Sequence, residues 1–217
     1  SQAGFDAGDH LNSLNVLRSP MQAIRMVFDL MPHETEDEWH GLNARLEKVP
    51  AGLASYQRAL EEGMRRGLVA ARRQVEECIV QVDTWTNAAG TGTTYFGRLL
   101  DTYDGNPGER TIGLRSDLER NAGSATAAYA DFAQFLRDSY APKASEDDAV
   151  GRERYARGVR GYNGTDIDLE ETYAWGWEQL RWVEAEMGST ANRILPGAGV
   201  EAAKHLLETD PKRAIEG

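Results

Sequence analysis

The chain has 217 residues, with 35 acidic and 24 basic side chains, a formal charge of −11, and 41% hydrophobic against 27% charged residues. That balance suits a globular protein that can bury a substantial core, and it excludes wholesale disorder. An acidic chain without a dense basic block repels phosphate backbones, so no nucleic acid is expected as a partner. No apolar run approaches the ~20 residues of a membrane span and no basic-then-apolar leader opens the chain, so no membrane partner and a cytoplasmic location are expected. The single cysteine, Cys78, forbids an intrachain disulfide and a cysteine-rich zinc site. It falls with Val75, Ile79 and Val82 on one helical face and reads as a small buried hydrophobe rather than a nucleophile.

In chain order, residues 1–18 are polar and weakly patterned, an irregular lead-in to a helical domain over 19–217. Ser19-Pro20 reads as an N-cap followed by proline at the first helical position, with Met21, Ile24, Phe28 and Met31 at helical spacing behind it. Thr35-x-x-Glu38 is a capping box that opens a stripe of Trp39, Leu42 and Leu46. Leu53, Tyr56, Leu60 and Met64 make the next stripe, and Val75, Cys78, Ile79, Val82 and Trp85 a third. Residues 87–94 (NAAGTGTT) read as a flexible joint. Gly90-x-Gly92 lacks the preceding strand and third glycine of a phosphate loop. After a short helix at Tyr95–Leu100 and a turn at 104–108, Leu114, Leu118, Ala122, Ala125, Tyr129, Phe132, Leu136 and Tyr140 step by threes and fours along a long helix. Its small middle, Gly123 to Ala128, lets a neighbouring helix come close.

Residues 151–187 hold three of the five tryptophans. A helix is expected to start at Ser145–Asp148, to carry Tyr155, Val159 and Tyr162 on one side, and to break at Asn163-Gly164. Asp168-x-x-Glu171 is an N-cap with an acid three residues on, and a helix can run from it without a proline to Pro196. At ~100° per residue, Leu169, Tyr173, Trp177, Leu180, Met187, Ala191 and Ile194 share one stripe. Trp175 and Trp182 fall near the opposite side, among Glu171, Glu178 and Glu186. Two large aromatics there imply a second contact surface, met by another part of this chain, by protein outside it, or by a ligand, in that order of expectation. Glu184 projects inside the apolar stripe, so it should pair with Arg152, Arg157 or Arg160 or lie at the stripe's edge. With no sustained alternation of apolar and polar residues anywhere, the fold class is all-α: a bundle of about seven helices, two of them long, with no substantial β-sheet.

Gly151-Arg-Glu-Arg-Tyr155, Asn163-Gly-Thr-Asp-Ile-Asp-Leu169, Glu170-Glu-x-Tyr-x-x-Gly176 and Glu184-Ala-Glu-Met187 resemble blocks of the bacterial family termed domain of unknown function 885. Tyr56-x-x-x-Leu60-x-Glu-Gly63-x-x-x-Gly67 and Ala71-Arg-Arg-Gln-Val75 are similar to that family's upstream region. The resemblance implies a zincin-like metallopeptidase architecture in which a helical N-terminal half precedes a C-terminal catalytic half. That second half, with its zinc motif of His-Glu followed by Gly-His-His, would be the principal partner and a peptide the substrate. No such motif occurs in these residues, so no catalytic residue and no metal ligand is assigned to this chain. Zinc is implied for the whole protein alone.

The residues themselves agree. His33-Glu34 lacks a histidine at position 37, which is Asp, and Pro32 and the Thr35 cap place it ahead of a helix. The acid pairs Glu61-Glu62, Glu76-Glu77, Asp147-Asp148 and Glu170-Glu171 are sequence neighbours whose side chains point apart on a helix. No serine sits in a nucleophile elbow. The candidates that remain are Tyr155, Tyr162, Trp175, Trp182 and Glu184, as residues lining a substrate channel or a docking face, beside the reading of each tyrosine as core. The expected role is a non-catalytic helical portion of a zinc-dependent peptidase; the alternative is a self-contained helical protein-interaction module.

Overall fold

A computed structural model describes residues 2–103 and 112–212; the expected turn at 104–108 lies outside these. Regular structure among the described residues is helical, and the one β-type pairing is an isolated bridge between Ala71 and Ser145. Backbone contacts divide the chain into two compact units, residues 1–152 and 153–217.

The first unit contains α1 (Gln2–Asp6), α2 (Pro20–Leu30), α3 (Glu36–Leu46), α4 (Val49–Arg65), α5 (Arg72–Thr86), α6 (Tyr95–Asp101) and α7 (Ile112–Phe135). Helix α7 is the axis, with α3, α4, α5 and α6 packed against it. Its Leu118, Ala125, Tyr129 and Phe132 are shielded from solvent, and so are Leu42, Leu46, Leu60, Val75 and Val82 on the surrounding helices. Side chains interlock through edge-to-face rings such as Phe28 on Phe96 at 5.4 Å and Trp85 on Tyr129 at 5.7 Å. The buried Tyr129 hydroxyl donates to the Met21 carbonyl at 2.8 Å, so the large ring costs no unpaired polar atom. The capping box at Thr35 forms as the sequence indicates: Glu38 N–H donates to Thr35 Oγ1 at 3.3 Å, and Thr35 N–H to Glu38 Oε2 at 2.9 Å. Past Phe135 the helix widens into a π-helical turn over Leu136–Tyr140 and tightens into a 3-10 turn over Ala141–Lys143, which holds Pro142.

Three local expectations change. Residues 1–18 are not irregular throughout: α1 is followed by a 3-10 turn at Asp9–Asn12, reached through Gly8 at φ +77°. The segment after it is tied down by glutamines, with Val16 N–H donating to Gln74 at 3.0 Å and Gln81 donating to the Val16 carbonyl at 2.9 Å. The loop after α5 is stitched rather than loose. Asn87, itself at φ +53°, accepts from Thr91 and Gly92 N–H groups at 3.1 Å each. No helix starts at Ser145, because its backbone pairs elsewhere: Ser145 N–H donates to Ala70 O at 3.0 Å and Ser145 O accepts from Arg72 N–H at 2.7 Å. Arg72–Glu146 at 2.5 Å and Arg73–Asp148 at 2.8 Å hold the same segment down.

The second unit contains α8 (Arg152–Asn163), α9 (Leu169–Ile194) and α10 (Gly199–Thr209). Helix α8 begins after Gly151, which adopts φ +78°, a conformation glycine reaches without strain. Asp168 caps α9 by accepting from the N–H groups of Glu170 and Glu171 at 2.9 and 3.0 Å. Helix α10 packs back on α9, and Ala191 and Ala203 are the buried residues of the two helices. The two long helices expected are α7, with 24 residues, and α9, with 26.

Candidate functional site

Most of α9 is uncovered. Ala191 is its one buried residue among those described. The stripe expected to be its core stands largely in solvent: Tyr173 is 67% exposed, Trp177 45%, Leu180 44% and Met187 48%. The physical reason is supply. Helix α10 covers only the last turns, and α8 is a basic helix offering little beyond Tyr155 and Val159 to a helix twice its length.

Tyr155 on α8 joins Ile167, Leu169, Tyr173, Trp177 and Leu180 around an open groove of about 500 Å³, with Gly176 in its lining. Tyr173 and Trp177 meet edge to face at 6.1 Å, which fixes the aromatic wall. Above Gly176 there is nothing within 4 Å of where a Cβ would stand. Of the named candidates, the groove gathers Tyr155. Tyr162 is 96% exposed and outside it. Trp175 and Trp182 are 59% and 61% exposed, on the side of α9 away from the groove. Glu184 is exposed too, so the cost of a buried carboxylate does not arise for it among the described residues. Arg160 pairs instead with Asp166. Ile167, Trp177 and Leu180 are groove residues that sequence reading assigned to core or passed over. The signal that could have found them was the shortage of apolar partners on α8.

The groove lining is chiefly apolar and aromatic, with hydroxyls from Tyr155, Thr172 and Tyr173 alone, so what it can do is hold apolar groups. A second open cavity of about 590 Å³ lies in the first unit over Gly97, Ala122, Gly123, Ala127 and Ala130, with the Asp83–Arg137 ion pair at its rim. Elsewhere the polar groups are structural. His33 Nδ1–H donates to the Met31 carbonyl at 3.0 Å while the ring packs against Trp39 at 5.5 Å. Burial pushes the Cys78 thiol up to about 12, which keeps it protonated and inert. Among the described residues, no three histidine, cysteine, aspartate or glutamate side chains are grouped to hold a metal ion, so these residues do not fit a zinc site. No described helix is long and apolar enough to cross a membrane.

Against family models, residues 2–217 match the one described as "Bacterial protein of unknown function (DUF885)". The chain belongs to that family. Among curated proteins, none matches it.

Proposed function

We propose that this chain is the non-catalytic helical portion of a zinc-dependent peptidase, walling a substrate channel and docking a catalytic half through the α8–α9 groove. The observation that carries the reading is the unfilled groove itself. A 26-residue helix displays Tyr173, Trp177, Leu180 and Met187 at helical spacing, and the described residues of the second unit leave them largely exposed. An isolated helix gains little from such a stripe, whereas covering it with a partner helix recovers roughly 25 cal/mol per Å² of apolar surface. Gly176 supports the same reading. A glycine inside a helix costs about 1 kcal/mol relative to alanine, and open space above it admits a close backbone or a substrate chain. Family membership is in keeping with this role, and the zincin-like architecture comes from the resemblance noted in the sequence. The described residues supply walls and a docking face, with the hydrolytic chemistry assigned to residues outside them.

The test is a protein carrying this segment together with the family's catalytic half, supplied with zinc and a mixed peptide substrate. Zinc binding with peptide hydrolysis is expected, and Gly176→Leu, which fills the groove, should reduce hydrolysis while leaving the first unit folded. A protein that binds no zinc and cleaves no peptide would overturn the peptidase reading. An active one indifferent to Gly176→Leu would overturn the groove's part in it.

A further inference from the structure

The face of α9 opposite the groove carries a pattern that the proposed function does not use. Seven residues lie within ~40° of Trp182 on a helix turning ~100° per residue: Glu171, Trp175, Glu178, Trp182, Glu186, Ser189 and Arg193. All seven are exposed. Their spacing runs four, three, four and then four, three, four, a palindrome centred on Trp182. A periodicity averaging 11 residues over three turns keeps such a face in line along a nearly straight helix.

We infer that this face binds a second copy of itself, two α9 helices crossing antiparallel on a two-fold axis at Trp182. An isologous contact places each residue of one copy against its mirror position in the other. With the axis at position 182, Glu171 meets the second copy's Arg193, and Arg193 meets the second copy's Glu171. The Trp175 indole meets the second copy's Ser189, large against small, at both ends. The Trp182 rings meet each other on the axis. Glu178 and Glu186 occupy mirror positions but lie on opposite flanks of the face, ~40° to either side of Trp182, so their like charges are held apart. On the flank of Glu186, the second copy's Gln179 comes level with that carboxylate and offers it an amide donor. Acid thus meets base and bulk meets a small side chain under one symmetry operator. A parallel pairing would instead set Glu171 against its own copy and Arg193 against its own copy, and like charges at close range oppose association. The antiparallel arrangement is therefore selected by charge, and tryptophan supplies the anchor that interface centres favour.

The inference is independent of the peptidase reading, since it uses the other side of α9. Sedimentation of the 217-residue protein from micromolar to millimolar concentration tests it. A reversible dimer that weakens with added salt is expected. Trp182→Ala should lower the association constant more than ~10-fold, because an interface-centre tryptophan is lost twice. Glu171→Arg alone and Arg193→Glu alone should each weaken it by ~5-fold, and the two together should restore it, since each pair reforms with its charges exchanged. All these positions are exposed, so helicity by circular dichroism should be unchanged and serves as the folding control. A monomer at every concentration, a Trp182→Ala protein that dimerises as well as the wild type, or a double charge reversal no better than the single ones would overturn it.

Discussion

Helices α7 and α9 are nearly equal in length, at 24 and 26 residues, and each repeats apolar side chains every three or four positions. On α7 that repeat is buried: Leu114, Leu118, Ala122, Ala125, Tyr129 and Phe132 all contact surrounding helices. On α9 it is not, and Ala191 alone is buried among the described positions. The difference lies in the neighbours. Four helices surround α7, while α10 covers one end of α9 and α8 offers chiefly Tyr155. Amphipathic periodicity specifies a helix and the side it will bury, but the burial energy exists only where other chain arrives to exclude water.

The sharpest way to break this comparison is the same chemical change made in both regions. Leu60 on α4 is fully buried beside α7, so Leu60→Ala removes its transfer energy and leaves a cavity. A loss of about 2–5 kcal/mol is expected, read from the urea midpoint of the first unit's unfolding. Next in size is Tyr140→Phe. The Tyr140 hydroxyl accepts from the buried Ala70 N–H at 2.9 Å, beside the Ala71–Ser145 bridge. Removing it strands a buried donor, and about 1–3 kcal/mol should be lost from the same transition. A much smaller loss would mean that water reaches Ala70 and that this end of the core is looser than its packing implies.

The helices of the first unit were legible because their signals are local. Ser19-Pro20, the Thr35–Glu38 box and the stripes of Trp39, Tyr56 and Val75 are set by residues within a turn or two of one another. Ser145 was misread because its backbone partners are Ala70 and Arg72, over seventy positions away, and no local pattern announces a long-range bridge. Asn87 misled for a related reason. A glycine-rich run reads as slack, yet one side-chain amide accepting two backbone N–H groups is enough to order it. For the candidate site, the stripe of α9 was legible as a surface seeking cover. Whether this chain supplies that cover depends on a count of partners across the fold, and that count decides between core and groove for Trp177 and Leu180.

Caps extend the comparison at smaller amplitude. Thr35→Ala and Asp168→Ala each remove one N-cap and should each cost about 1 kcal/mol of helix stability. The first should lower the cooperative transition of the bundle, because α3 packs on α7. The second should reduce far-ultraviolet helicity at the start of α9 and leave the near-ultraviolet signal of the first unit unchanged. The Thr35 box also carries a pH signature. Hydrogen bonds from the Thr35 and Glu34 N–H groups hold the Glu38 carboxyl below the usual carboxylate range. A carboxyl with a lowered folded-state pKa adds stability above its unfolded-state pKa and loses it as pH falls through the folded one. Glu38→Gln should therefore flatten that part of the acid limb in a pH series of urea midpoints.

The smallest effect tests the comparison most directly. Leu180 lies in the middle of the α9 stripe that reads as core, yet it is 44% exposed. Leu180→Ala gives up only the part of its surface already out of water, creates no enclosed cavity, and replaces leucine with a slightly better helix former. A loss of at most about 1 kcal/mol is expected in this chain, several-fold below that for Leu60→Ala. Equal losses at the two positions would mean that α9 is covered after all, and that the groove beside Tyr173 and Trp177 is closed core. On the proposed function, the same substitution should cost more in a protein that carries the catalytic half, because the groove would then be filled. That added cost, measured as a difference between the two proteins, reads the cover that α9 lacks here.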